Sequence, residues 1–308
     1  MQAQVIKMNP PNVEAPPAPP GEAAPSVEAS ATATKKNKPT ETKSTRVSTS
    51  RGAKWLTAIL LPLASFAVVL GIWSYIHNYA VPQIPGPITV WEHAVEVLAH
   101  PFYEKGPNDM GVGWQVMYSL GRVMAGFLLA ALIGVPLGFL MGMSNNFHRA
   151  LSPLIQILRP VSPLAWLPIG LLMFKAVNPS AIFVIVVTCI WPMILNTAAG
   201  VKAIPKDYMN VAAVLKLSKL ELIRRILFPA TLPYVVTGMR LSLGVAWMVI
   251  VAAEMLTGGI GIGFYVWDEW NNLNVSSIIV AIFLIGGVGI ALDGLMNLIQ
   301  RRFSYDER

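Results

Sequence analysis

The sequence predicts an all-α protein, a polytopic membrane bundle of six transmembrane helices. Three observations carry that reading. Of 308 residues, 54% are hydrophobic and only 13% charged, against about 25% charged in soluble domains. The apolar residues fall in runs of about twenty, the length that crosses a ~30 Å hydrocarbon core. Lys and Arg gather in alternate connections between those runs, as orientation in a bilayer demands. That placement also argues against nucleic acid as a partner, because the net charge of +7 comes from loops flanking apolar spans.

Residues 1–52 are rich in Pro, Ala, Ser and Thr. They hold too little apolar surface to offset the entropy of ordering, so a disordered cytoplasmic tail is expected. The first apolar segment begins after more than 50 residues, and no secretory signal peptide is visible. Residues 53–308 form the transmembrane domain. Spans are expected at 55–76, 114–141, 151–174, 181–199, 234–256 and 276–299. The third is kinked or broken by Pro153, Pro160, Pro163 and Pro168, and Trp191 with Pro192 interrupts the fourth. The loop over 77–113 carries Glu92, Glu96, Glu104 and Asp109 against Lys105 alone, which suits the outer face. Within it, 87–99 reads as a surface helix with Val90, Ala94, Val97 and Leu98 on one side. Basic residues dominate the tail from Lys35 to Lys54, the connection over 201–233 and the end at Arg301, Arg302 and Arg308. Both termini are therefore expected in the cytoplasm.

The connection at 201–233 is the longest amphipathic stretch, with six Lys or Arg against one Asp and one Glu. It reads as a helical hairpin. Asp207 can cap a first helix whose apolar residues are Val211, Val214 and Leu215. Ser218 and Glu221 form a capping box, with Leu217 and Leu222 as its hydrophobic staple. A second helix then starts at Lys219 and is expected to stop at Pro229. Such a hairpin can lie on anionic lipid or dock a partner.

Catalytic and nucleotide motifs are missing: the sequence has no H-E-x-x-H, G-x-S-x-G or G-x-x-x-x-G-K-[ST]. Its single cysteine, Cys189, lies in an apolar run, so no cysteine metal cluster is expected. His93 and His100, seven residues apart, read as one face of a surface helix rather than as metal ligands. The glycines at 258, 259, 261 and 263 do not make a nucleotide loop, lacking the final glycine of G-x-G-x-x-G. They suit backbone that dips into the outer mouth of a bundle.

Charges inside spans are costly and mark pairs or pathways. Arg122 and Glu254 lie towards the outer ends of their spans, and Arg240 and Asp293 towards the inner ends. Matched depth predicts two pairs, Arg122 with Glu254 and Arg240 with Asp293; an anion pathway through Arg122 is the alternative. Other polar groups in the spans are few: Thr188, Asn196 and the indoles of Trp166, Trp191 and Trp247. That scarcity predicts a weak or absent transmembrane site, with selection made outside.

Several stretches, in order, resemble one family. In the hairpin, Asn210, Val211 and Ala212 occupy the first places of the loop pattern of binding-protein-dependent ABC permeases, Lys216 its glycine place and Ile226 to Pro229 its end. Asn210 and Lys216 depart from the acid and glycine usual there. Ser119-Leu120-x-Arg122-Val123, the run 163–168, Leu232-Pro233-Tyr234 with Thr237, Gly238 and Arg240, and Ala252-Ala253-Glu254-Met255 resemble the nitrate, taurine and sulfonate branch. The run 261–272 is similar to nitrate permeases, with bicarbonate permeases next. This resemblance implies a type I ABC importer fold in a bacterial inner membrane. It implies a homodimer, two ATP-binding subunits that hold ATP and Mg, and an external substrate-binding protein. The docking surface for the ATPase would comprise Asp207, Asn210, Val211, Ala212, Leu215, Lys216, Leu217, Ser218 and Pro229. The implied cargo is a small inorganic anion, nitrate or nitrite first, with bicarbonate or taurine and sulfonates as alternatives. An ion-coupled carrier or a membrane scaffold remains the reading from a different class; neither needs the hairpin.

Overall fold

The structure is a computed structural model that describes residues 51–106 and 109–303. The tail expected over 1–52 lies outside the described residues up to position 50. Eleven α-helices carry the described chain: α1 (Arg51–Tyr75), α2 (Pro87–Ala99), α3 (Val112–Met143), α4 (Asn145–Leu158), α5 (Leu167–Phe174), α6 (Val177–Lys202), α7 (Lys206–Val214), α8 (Lys219–Leu222), α9 (Phe228–Thr257), α10 (Ile262–Asn271) and α11 (Val275–Phe303). Five helical segments are long and apolar enough to cross a membrane, and α4 with α5 makes a bent sixth.

The core is built on α3 and α6. Small residues recur every fourth position along α3, at Gly126, Ala130, Gly134, Gly138 and Gly142. Such a row lets two backbones approach closely, which is what drives helix association in lipid. A Cβ placed on Gly126 would lie 2.6 Å from Ile185, and one on Gly138 or Gly142 would lie 2.5 Å from Thr197 or Val201. Gly134 faces Met193 and Ile190 in the same way. Numbers rise together along both helices, so α3 and α6 are parallel. Contacts of Gly200 with Tyr234, of Gly238 with Asn196 and of Cys189 with Ser242 run the other way, so α9 is antiparallel to both. Trp247 to Ile285 and Arg240 to Asp293 make α11 antiparallel to α9. Helices α1 and α2 pack on the outer side of α11.

Parallel packing of α3 and α6 decides what α4 and α5 do. The chain leaves α3 at one end of the bundle, the lower, and must begin α6 at the other, the upper. The segment between them therefore traverses the bundle. It does so bent by 96°. At about 1.5 Å per residue neither α4 nor α5 could cross ~30 Å alone. Pro163 opens the lower-numbered turn of the second arm, and Ser162 before it is extended (φ −55°, ψ 130°), as a residue preceding proline prefers. The expected third span is thus one crossing in two arms.

Other prolines act differently from expectation. Pro192 does not interrupt the fourth span, since α6 runs through it. Asn196 Nδ2, one turn further on, donates to the Pro192 carbonyl (2.8 Å). Pro229 does not end the second hairpin helix either. A π-helical turn, Ile223–Leu227, precedes it, with the Phe228 N–H bonded to the Ile223 carbonyl. The wider turn accommodates a ring that would clash in a regular α-helix. Helix then continues without a break from Leu220 to Thr257. Asp207 lies in the first turn of α7, not at its cap, because the helix already begins at Lys206 behind Pro205. The capping box forms: the Ser218 N–H donates to Glu221 Oε2 (3.0 Å) and the Glu221 N–H to Ser218 Oγ (3.3 Å). Lys216 takes φ +50°, the left-handed conformation that disfavours a β-carbon.

Gly138→Val should lower the thermal stability of the detergent-solubilised protein by about 1–3 kcal/mol, the usual cost of overpacking. Gly294→Val, where a Cβ meets nothing within 4 Å, makes the same change in helix propensity and should leave the melting temperature nearly unchanged.

Candidate functional site

At the upper end, Gln115, Ser119 and Arg122 occupy one face of α3 at the i, i+4, i+7 spacing. All three are buried, as is Glu254 from α9, which is only 1% exposed. Arg122 Nη1 donates to Glu254 Oε1 (2.6 Å) and to the Ile260 carbonyl (2.6 Å), and its Nε donates to Asn178 Oδ1 (2.8 Å). Ser119 Oγ reaches both carboxylate oxygens at 2.9 and 2.8 Å. The backbone N–H groups of the following loop complete the net: Gly261 donates to Gln115 Oε1 (2.6 Å), Ile262 to Ser119 Oγ (2.9 Å) and Gly263 to Glu254 Oε2 (3.1 Å). The Glu254 carboxyl is therefore held by a guanidinium, a hydroxyl and a peptide N–H, the set of partners a buried charge requires.

Glycine is needed in that loop for two reasons. Gly258, Gly259 and Gly261 have φ of +74°, +95° and +155°. A Cβ on Gly261 would also collide with the Glu254 carboxylate, and one on Gly263 with the Val251 carbonyl. The loop folds into the bundle's mouth and exchanges its peptide groups for side-chain partners, as irregular backbone at this depth must. Arg122 is thus committed to structure. Ser119 and Gln115 were not among the candidate residues; their spacing with Arg122 on one helical face is the signal that points to them.

Arg240 and Asp293 meet at the lower end as a bidentate pair, Nε to Oδ1 at 2.7 Å and Nη2 to Oδ2 at 2.8 Å, with Gln300 beside them. Their side chains are 34% and 56% exposed. Trp247 is buried and donates its indole N–H to the Ile285 carbonyl (2.9 Å), which ties α9 to α11. Asn196 is occupied by the Pro192 carbonyl and Thr188 by the Val184 carbonyl. Trp166, Thr188 and Trp191 line a cavity of about 280 Å³ together with Arg159. No group of three His, Cys, Asp or Glu among the described residues is placed to hold a metal ion. His93 bonds Ser277 Oγ (2.7 Å) and, with His100, borders a cavity of about 420 Å³ that also holds Glu269. Burial holds the Glu269 carboxyl above its ordinary range, against hydrogen bonds from Ser277 and Asn274.

The hairpin places an apolar set in solvent: Tyr208, Val211, Val214, Leu215 and Leu220 are all exposed. Asp207, Asn210, Lys216 and Leu217 surround it, while Ala212 is buried beneath and Pro229 begins α9. Ser218 caps α8.

A bundle with a broken span, a buried charge lock and a surface hairpin defines a class, and comparison with known proteins identifies it. Residues 134–305 match the family model for the binding-protein-dependent transport system inner membrane component. The chain belongs to that family. It is 47% identical over 247 residues to the nitrate import permease protein NrtB of Leptolyngbya laminosa, covering 79% of this chain and 87% of that one. It is 44% identical over 254 residues to the bicarbonate transport system permease protein CmpB of Synechococcus elongatus, covering 80% and 91%. Among solved structures, the MetNI methionine ABC transporter matches in fold with a TM-score of 0.54 at 17% identity, over 60% of this chain and 93% of that one. An amino acid ABC transporter matches with a TM-score of 0.53 at 13% identity, over 70% and 97%. The chain is accordingly a multi-pass inner-membrane permease subunit rather than an enzyme, of a family whose members work with separate ATPase and substrate-binding components.

Arg122→Met, which leaves Glu254 buried without its cation, should destabilise the protein by roughly 3–5 kcal/mol. Arg240→Met removes a solvent-screened pair and should shift the melting temperature far less. Thermal unfolding of the two purified variants in one detergent checks the contrast.

Proposed function

We propose that this chain is the permease subunit of an ATP-driven importer for a small inorganic anion, nitrate or nitrite first. The observation that carries the substrate is the 47% identity to a nitrate import permease over 79% of the chain. Bicarbonate is the second reading, favoured by 44% identity to a bicarbonate permease over a similar length. Charge supports an anion in either case, because the sequence from Val112 to Lys206 contains neither Asp nor Glu. A cation would find no counter-charge along α3 to α6.

The working assembly in this reading is a homodimer, with two ATP-binding subunits on the hairpins and a binding protein at the upper end. ATP and Mg belong to the partner subunits. The basic hairpin, with Arg301 and Arg302 in the last turn of α11, supports a cytoplasmic lower end, with both termini there. The docking residues are Asp207, Asn210, Val211, Ala212, Leu215, Lys216, Leu217, Ser218 and Pro229, centred on the exposed apolar set. Closure of the ATPase pair moves the hairpins, and the helix that is unbroken from Leu220 to Thr257 carries that movement through the membrane as one rod. Such domain movement repacks interfaces that have two discrete arrangements.

Vesicles holding the whole assembly, given nitrate, nitrite, bicarbonate and taurine separately with ATP inside the ATPase compartment, should accumulate nitrate. Uptake of bicarbonate or taurine without nitrate would overturn the substrate and leave the permease standing. Leu215→Asp should abolish co-purification of the ATPase subunits and lower uptake by about ten-fold or more. Intact binding and transport in that variant would remove the hairpin from the coupling role.

A further inference from the structure

Arg159 stands apart from the other intramembrane cations. It is the residue at which α4 ends and the bent span turns. Two cavities meet there. One, of about 630 Å³, is lined by His148, Ser152, Gln156 and Arg159 among others. The second, of about 280 Å³, continues past the break to Trp166, Thr188 and Trp191. Thr188 and Trp191 flank the midpoint of α6, roughly 17–21 Å from its upper end, so Arg159 sits at mid-depth of the bundle.

The side chain of Arg159 is exposed to the cavities and makes no hydrogen bond and no ion pair among the described residues, where Arg122 and Arg240 are each held by a carboxylate. None of α3 to α6 offers it a carboxylate, since no acid occurs between Val112 and Lys206, and the acid of α9, Glu254, is bound to Arg122 at the upper end. The negative end of α4 helps a cation at that helix's last turn, but a screened helix end is a weak partner for a guanidinium at mid-membrane. Cations in that position face a water-filled cavity and mark the path of an ion.

Below Arg159 the polar residues continue in single file. His148, Ser152 and Gln156 recur every four residues on one face of α4, from the lower end towards the break. His148 Nδ1 is buried without a hydrogen-bond partner, and Nε2 lies 3.4 Å from Ser152 Oγ. Above it, Trp166 and Trp191 supply indole N–H groups that have no hydrogen-bond partner among the described residues. The chemistry is that of a site for a small oxyanion: one guanidinium fork, neutral donors on either side and no competing carboxylate.

We propose that Arg159 is the anion-binding residue of a transport site inside this subunit, and that Gln156, Ser152 and His148 form the exit from that site to the lower face. The inference rests on the anion-import reading and assigns the residue that holds the anion there. The test is nitrate and bicarbonate uptake by vesicles containing the whole assembly, comparing wild type with Arg159→Gln, Arg159→Lys and Arg149→Gln. Arg149 lies on α4 and takes no part in either cavity lining, so it controls for the loss of one charge. The expected result is a KM for the anion raised by about ten-fold or more in Arg159→Gln, partial recovery in Arg159→Lys and wild-type kinetics in Arg149→Gln. Co-purification of all subunits with each variant separates binding from folding. If Arg159→Gln lowers the maximal rate with KM unchanged, or if Arg149→Gln shows an equal KM rise, the assignment is wrong. Wild-type vesicles that take up neither anion would remove the import reading and this site together, whereas wild-type uptake with an unaltered Arg159→Gln removes this site alone.

Discussion

The parallel contact between α3 and α6 is the constraint from which the rest of the architecture follows. Glycines at 126, 134, 138 and 142 bring the two backbones together with side chains of α6 filling the space a Cβ would take. In lipid there is little hydrophobic gain from helix association, so close packing of small residues carries the specificity. Two parallel neighbours in one chain oblige the intervening segment to cross the bundle in the opposite sense. That obligation falls on α4 and α5, the one stretch whose prolines prevent a straight helix. The break at mid-depth, and the cavities beside it, are consequences.

The arginines of the bundle show how environment separates residues of one type. Arg122 is spent on a buried carboxylate and a carbonyl, and through them on the glycine loop that closes the upper end. Removing its partner would strand a charge, so the pair records constraint rather than net stabilisation. Arg240 and Asp293 are well aligned but half in solvent, where an ion pair contributes little. Arg159, at the break of the bent span, has no hydrogen-bond or ion-pair partner among the described residues.

Helix α9 links the two ends. Its lower extension begins in the hairpin beyond the π-helical turn at 223–227, and its upper end presents Glu254 to the glycine loop. Under the proposed coupling, a displacement at the hairpin would reach the residue that is bonded to the glycine loop.

The sequence by itself determined the class and most of the helices, and it gave an expected sidedness for the loops. Hydrophobic run length, proline position and charge placement are local quantities, and each is set by the bilayer rather than by neighbouring helices. The surface helix over 87–99 and the Ser218–Glu221 capping box could be read for the same reason. The sequence also pointed to Arg122, Glu254, Arg240 and Asp293, because charges in apolar runs stand out. Only the tertiary structure decided which helices run side by side, and so that the row of small residues on α3 is an interface. It decided that Pro192 and Pro229 are absorbed within continuous helices, the second behind a wider turn. It also set Arg159 apart from its counterparts: a cation's meaning depends on the nearest carboxylate, and that distance is fixed by how distant segments pack.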